Sequence, residues 1–173
     1  KDETRKVHFV KDAIVLHKNS RSQEWLNWGM RVVLAKNYID NLREEAMKGW
    51  AEKLAQGWMP APPPPGYMTV VRDGKRIHDF NPETYKSMQR IFQLMLEPQY
   101  TIETIRHKMT EFGLVTGKGR PFSKSHAHRI LTNPFYIGTI RFNGNEYPGK
   151  QPHLISEELF NAVQAKISRK RPA

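Results

Sequence analysis

The 173-residue chain is 38% hydrophobic and 26% charged, and its 28 Lys and Arg against 17 Asp and Glu leave a formal net charge of +11. That excess points to a polyanionic partner, nucleic acid or an anionic membrane surface; no apolar run approaches the roughly 20 residues of a membrane span, and the chain lacks the opening of a secretory signal. With no cysteine, disulfides, a thiolate nucleophile and Cys-ligated zinc are excluded, which leaves a soluble, basic, intracellular protein as the expectation.

In chain order, Lys6-Val7-His8-Phe9-Val10 alternates like a short strand, and a polar loop through Asn19 follows. From about Ser20 to Leu54 there is no proline and no turn cluster. Ser20 with Gln23 fits a capping box, and Gly57 is placed to stop the helix. At about 1.5 Å per residue such a helix spans roughly 50 Å, more than a domain of this size buries against itself. Its apolar residues, among them Leu26, Met30, Val33, Leu34 and Ile39, wind broadly around it. A second copy or a further domain is therefore the expected neighbour. Trp25, Trp28 and Trp50 read as packing or interface residues rather than a ligand box.

Pro60-Ala61-Pro62-Pro63-Pro64-Pro65-Gly66 can enter neither helix nor sheet interior and reads as a stiff, extended spacer. Tyr67 to Phe80 predicts a β-hairpin turning at Asp73-Gly74. Asn81-Pro82 then predicts a helix start, with Tyr85, Met88, Phe92 and Met95 inward. Thr101 caps a helix whose Ile102, Ile105, Met109 and Phe112 recur at helical spacing, and Gly113 ends it. A loop containing Gly117-Lys118-Gly119-Arg120-Pro121 leads to Ser123, the cap of a short helix ending before Asn133-Pro134. A second hairpin, from about Tyr136 to Tyr147, turns at Asn143-Gly144. Ser156 with Glu157 and Glu158 opens a last helix, with Leu159, Phe160, Val163 and Ile167 inward. The fold class is α+β, mostly helical: a long N-terminal helix followed by a winged helix-turn-helix-like domain with small β-hairpins.

The charge is uneven. Residues 1–58 carry eleven basic and eight acidic side chains, and residues 59–173 carry seventeen and nine. Between Glu111 and Glu146 there is no acid at all, so the partner surface is expected in the second half. On the short helix, Ala127, Ile130 and Leu131 form one apolar stripe. That leaves Lys124, Ser125, His128 and Arg129 facing away and His126 at the edge, all able to donate to base edges or phosphates. The alternative is an ordinary solvated helix face. Ser123 as cap leaves helix amides for a phosphate. Lys118 and Arg120 lie in a flexible basic loop suited to phosphate contact, with minor-groove insertion as the alternative. Arg141 and Asn143 are wing candidates, although turn chemistry explains Asn143 equally well.

His126 and His128 are two apart on a helix, point in opposed directions and do not share a metal ion. No phosphate loop, Glu-x-x-His pair or Gly-x-Ser-x-Gly elbow occurs, and Ser22, Ser87, Ser125 and Ser168 have no evident general base. No catalytic residue, cofactor, metal or small-molecule substrate is expected.

The run Ser125-His126-Ala127-His128-Arg129-Ile130-Leu131-Thr132-Asn133-Pro134-Phe135-Tyr136-Ile137-Gly138 resembles the "recombinase" domain of the large serine recombinases, the phage integrase and transposon resolvase group. So does His153-Leu154-Ile155-Ser156-Glu157-Glu158-Leu159-Phe160 with Val163-Gln164, and Pro65-Gly66-Tyr67 is similar to that domain's opening. Val7-His8-Phe9-Val10 and Leu34 to Leu42 resemble the last strand and long helix of the family's catalytic domain. The resemblance implies site-specific cutting and rejoining of DNA by a serine nucleophile, with strand exchange for integration or excision. This chain lacks the family's Tyr-x-Arg-x-Ser segment, its arginine cluster and its Cys-ligated zinc ribbon. It therefore reads as an interior fragment without its own nucleophile.

On this resemblance, residues 1–58 are the end of the catalytic domain with its dimerisation helix. Residues 59–66 are a proline linker tracking a minor groove, 67–168 the recombinase DNA-binding domain, and 169–173 the basic start of a further linker. The implied partners are a double-stranded DNA attachment site and further copies of the chain, a dimer or, in the whole protein, a tetramer, in a bacterial or phage-encoded cytoplasmic setting. A dimeric winged helix-turn-helix transcriptional regulator is the alternative, and a structural interaction helix with an incidental basic face is a third.

Overall fold

The computed structural model describes residues 6–12 and 14–169, and contacts within the chain define two units, 1–49 and 50–173. Of the basic stretch expected over 169–173, Arg169 instead ends the last helix, Glu157–Arg169, and 170–173 lie outside the described residues.

In the first unit, β1 (Lys6–Phe9) pairs antiparallel with β2 (Ile14–His17), Phe9 opposite Ile14 and Lys6 opposite His17. The segment read as a polar loop thus contains a strand. Its three apolar residues are too few to signal alternation, and only pairing with β1 defines them. Helix α1 spans Ser22–Ala55. The expected Ser20–Gln23 box is replaced one residue later. The Arg21 N–H donates to Glu24 Oε2 at 2.9 Å, while Ser20 Oγ accepts from the His17 N–H at 3.1 Å and closes the exit from β2. Trp28 lies 5.8 Å from the Phe9 ring and 6.1 Å edge-on from Trp25. Further along α1, large apolar side chains stay exposed, Val33 at 67% and Leu34 at 66%.

The second unit takes in the last turns of α1. Leu54 joins its core, and Trp50 meets Phe142 edge-on at 5.7 Å. At Gly57 (φ +82°) the helix ends in a Schellman motif. The Gly57 N–H donates to Leu54 O at 2.9 Å and the Trp58 N–H to Lys53 O at 3.0 Å.

The end of the proline run, and Met59 just before it, are hydrogen-bonded to the rest of the second unit. Tyr136 Oη donates to Pro65 O at 2.9 Å, and His78 Nε2 donates to Met59 O at 3.0 Å. Gly66 (φ +96°) takes a backbone conformation that favours glycine, and a Cβ there would lie 3.1 Å from Met88 Cγ, so that side chain would have to give way.

Strands β3 (Tyr67–Arg72) and β4 (Lys75–Phe80) form the first expected hairpin. Asp73 and Gly74, both at positive φ, make its I′-type turn. Helix α2 (Tyr85–Leu96) starts later than the Asn81-Pro82 signal. Asn81 Oδ1 accepts from the Glu83 N–H at 3.0 Å, so the cap closes a preceding turn instead. Helix α2 buries Met88, Ile91, Phe92, Leu94 and Met95, with Tyr85 only half-buried.

Helix α3 (Ile102–Glu111) carries the expected Thr101 cap, completed as a box by Thr104. Phe112, expected inward, is 38% exposed, because Gly113 (φ +72°) breaks the helix and turns Leu114 into the core instead. Helix α4 (Lys124–Leu131) follows. A 3-10 turn over Pro134–Ile137 then takes residues expected to begin the second hairpin. Asn133 Oδ1 caps that turn by accepting from the Phe135 N–H at 3.0 Å, and Tyr136 is fully buried. Strands β5 (Thr139–Phe142) and β6 (Asn145–Pro148) form the hairpin, and α5 (Glu157–Arg169) closes the unit. Each of the three hairpins is a separate two-stranded sheet. Helices α2, α3, α4 and α5 enclose one core, so the α+β, mostly helical class holds.

Candidate nucleic-acid interface

Helix α4 is short, so its stability depends on its ends and its apolar stripe. Ser123 Oγ accepts from the His126 N–H at 3.2 Å, and at the other end Gln164 Nε2 donates to Leu131 O at 2.8 Å. Ala127, Ile130 and Leu131 are buried as expected. Ser125 and Arg129, about half a turn away, are exposed.

The remaining candidates on α4 divide between two flanks. Lys124 and His128 border a cleft of about 280 Å³ shared with Thr101, Ile102 and Glu103. His128 is half-buried there, so it is not the freely outward residue expected. Glu103 is held below the usual carboxylate range, first by its hydrogen bond from Arg106 and also by the charges of Arg106, His107 and Lys124. Lys124 therefore works beside a standing negative charge that lies outside the acid-free stretch in sequence. On the other flank, His126 and Arg129 border a cleft of about 680 Å³ whose opposite wall is Pro62–Gly66. His126 meets Phe122 edge-on at 4.7 Å. Burial, then the Arg129 charge, pushes its imidazole below the ordinary histidine range. The two histidines thus face different clefts, and no group of three potential metal ligands occurs among the described residues.

Lys118 and Arg120 are exposed, but the loop carrying them is a closed turn rather than a flexible one. The Thr116 N–H donates to Arg120 O at 2.8 Å and the Gly119 N–H to Thr116 O at 2.8 Å. Thr116 Oγ1 also donates to Arg120 O at 3.0 Å and accepts from the Arg120 N–H at 3.1 Å. Sequence reasoning missed Thr116; the available signal was a hydroxyl residue just before a Gly-x-Gly, placed to clamp its far side. The connection from α3 to α4, residues 112–123, is longer than the usual three- or four-residue turn and is anchored by buried Leu114 and Phe122.

Arg141 and Asn143 lie on the β5–β6 hairpin and border neither cleft. Asn143 (φ +48°) and Gly144 (φ +82°) form an I′-type turn. Arg141, a wing candidate, is ion-paired to Glu146. Among the described residues no helix is long and apolar enough to cross a membrane.

Comparison with known proteins places this geometry. A search of the curated proteins found no match. Solved structures that share the fold include the following two. One, described as "Sequence Requirements of the Listeria innocua prophage attP site", is 23% identical at a TM-score of 0.56, over 72% of this chain and 52% of that one. The other, described as "Crystal Structure of a LSR-DNA Complex", is 24% identical at a TM-score of 0.57, over 75% of this chain and 44% of that one. The chain spans about half the length of the chains it matches. A family model described as Recombinase matches residues 82–170, from the turn before α2 to the end of α5. That is just over half of the chain, and it includes the whole of α3, α4 and the connection between them: the chain belongs to the Recombinase family.

Proposed function

We propose that the chain is the DNA-binding fragment of a large serine recombinase, recognising a duplex attachment site while the nucleophilic serine lies outside this chain. The observation that carries the reading is α4. It is a capped helix whose exposed side bears Ser125 and Arg129 and whose flanks bear Lys124, His126 and His128. Lys118, Arg120 and the unpaired N–H groups at the start of α4 add phosphate donors. The match to the Recombinase model, and the shared fold of structures described as an LSR–DNA complex and as concerning a prophage attP site, support it. The division into residues 1–58, 59–66 and 67–168 belongs to the same reading. So does self-association through α1, supported by its exposed Val33, Leu34 and Tyr38.

Selection of randomised duplexes by the purified protein at about 150 mM salt tests it, since non-specific phosphate binding is weakened there. Enrichment of a motif longer than one helical turn is expected. Binding without enrichment would refute sequence recognition by this fragment.

A further inference from the structure

The cleft between the proline run and α4 has a composition that base reading by α4 does not explain. It is an open cleft of about 680 Å³, and no carboxylate side chain lines it. Its walls are apolar, from Pro63, Pro64, Val115 and Ile130. Its polar side chains are those of Tyr67, Asn81, Thr84, Thr116, His126, Arg129 and Asn133, and Arg129 is the one Lys or Arg among them. Asn133 Oδ1 is already taken by the Phe135 N–H at 3.0 Å and Asn81 Oδ1 by the Glu83 N–H at 3.0 Å. Each of these amides also has two N–H donors, and Arg129 offers donors only.

A base edge mixes donors, acceptors and, in thymine, a methyl group. A phosphodiester backbone carries only acceptors and a unit negative charge per nucleotide, joined by sugars with apolar faces. A cleft with a guanidinium, amide N–H donors and no acid matches the second pattern. We propose that this cleft seats the sugar–phosphate backbone of one strand, with Arg129 as its phosphate clamp. The inference rests on the DNA-binding reading above and deepens it. Arg129 then holds register on the duplex, and discrimination between sequences falls to Ser125 and Lys124.

The test places a negative charge in the cleft and an equal one outside it. Val115 is 40% exposed on the wall, and Val71, on β3 and outside the cleft, is 68% exposed. Val115→Glu is expected to weaken binding about tenfold or more to the selected duplex and to unrelated duplexes alike, because like charges then meet. Val71→Glu, with the same change in net charge, is expected to stay within about twofold. Arg129→Gln, an exposed change that spares the core, should weaken both kinds of duplex equally and lower the slope of log K against log salt by about 0.9. Phosphate-ethylation interference should then show at least one phosphate that matters to the unmodified protein and not to Arg129→Gln. Equal effects of Val115→Glu and Val71→Glu, or a loss from Arg129→Gln confined to the selected sequence, would overturn the backbone seat while leaving DNA binding intact. Failure of the unmodified protein to bind any duplex would overturn both.

Discussion

Glu146 stands directly across the β5–β6 ladder from Arg141. Its Oε1 accepts from Arg141 Nε at 3.0 Å and from Nη2 at 2.7 Å. The acid that ends the acid-free stretch of sequence is thus folded back onto the last cation within it. The hairpin presents a neutralised pair rather than a free positive charge.

Removing that acid should expose the cation. Glu146→Gln is expected to tighten duplex binding by about two- to fivefold at low salt and to steepen the salt dependence by up to one phosphate contact. Both partners are more than half exposed, so folding stability should barely change. Anisotropy titrations at several salt concentrations measure this, and an unchanged slope would remove Arg141 from the interface.

The Thr116 clamp predicts a loss without loss of charge. Thr116→Val deletes the hydroxyl that bridges both backbone groups of Arg120, while Lys118 and Arg120 remain. Binding should weaken about threefold or more on every sequence through the entropy of a loosened loop. The salt slope should stay the same, whereas Arg120→Ala should lower it by about 0.9. Thr116→Ser should restore affinity.

Tyr136 ties the proline run to the core. Its hydroxyl is buried and its ionisation is pushed well above the ordinary tyrosine range, chiefly by burial. It therefore acts as a donor to Pro65 O throughout the accessible pH range. Tyr136→Phe keeps the ring contacts with Phe92 and Tyr67 but leaves that carbonyl unpaired. A loss of about 1–3 kcal/mol is expected in urea unfolding.

The pH dependence of stability has a definite sign. His78 is buried and its imidazole is pushed below the ordinary range, mainly by burial and further by Lys53, against the bond to Met59 O. The folded chain therefore resists protonation that the unfolded chain accepts near about pH 6.5. Stability should be full above that value and fall as the pH drops through it toward the lower folded value. His126 shifts in the same direction. Urea midpoints at pH 7.5 and 5 should therefore differ less in His78→Gln than in the unmodified protein; an undiminished difference would exonerate His78.

Local chemistry decided much that was legible in advance. Thr101, Ser123, Gly57, Asp73-Gly74 and Asn143-Gly144 act through bonds to neighbours a few residues away, and the structure has each in its expected role. The stripe of Ala127, Ile130 and Leu131 and the basic residues on the other faces of α4 follow from helical period alone. Where two local signals competed, the choice was less legible. Asn81 could cap a turn or a helix, and Ser20 could serve the helix or the hairpin before it; in both cases a bond to a nearby backbone group won.

By itself, then, the sequence determined most of the elements, several caps, most of the core stripes and the basic character of the second half, because those depend on short-range geometry and composition; β2, the 3-10 turn at Pro134–Ile137 and the inward turn of Leu114 it did not determine. Only tertiary structure decided which cations are unopposed. Glu146 reaches Arg141 through strand register, Glu103 shares a cleft with Lys124 through the packing of α3 on α4, and the proline run becomes a cleft wall through Tyr136, distant from it in sequence. Charge along a chain counts residues, whereas charge at a surface depends on distance, and pairing and packing set those distances.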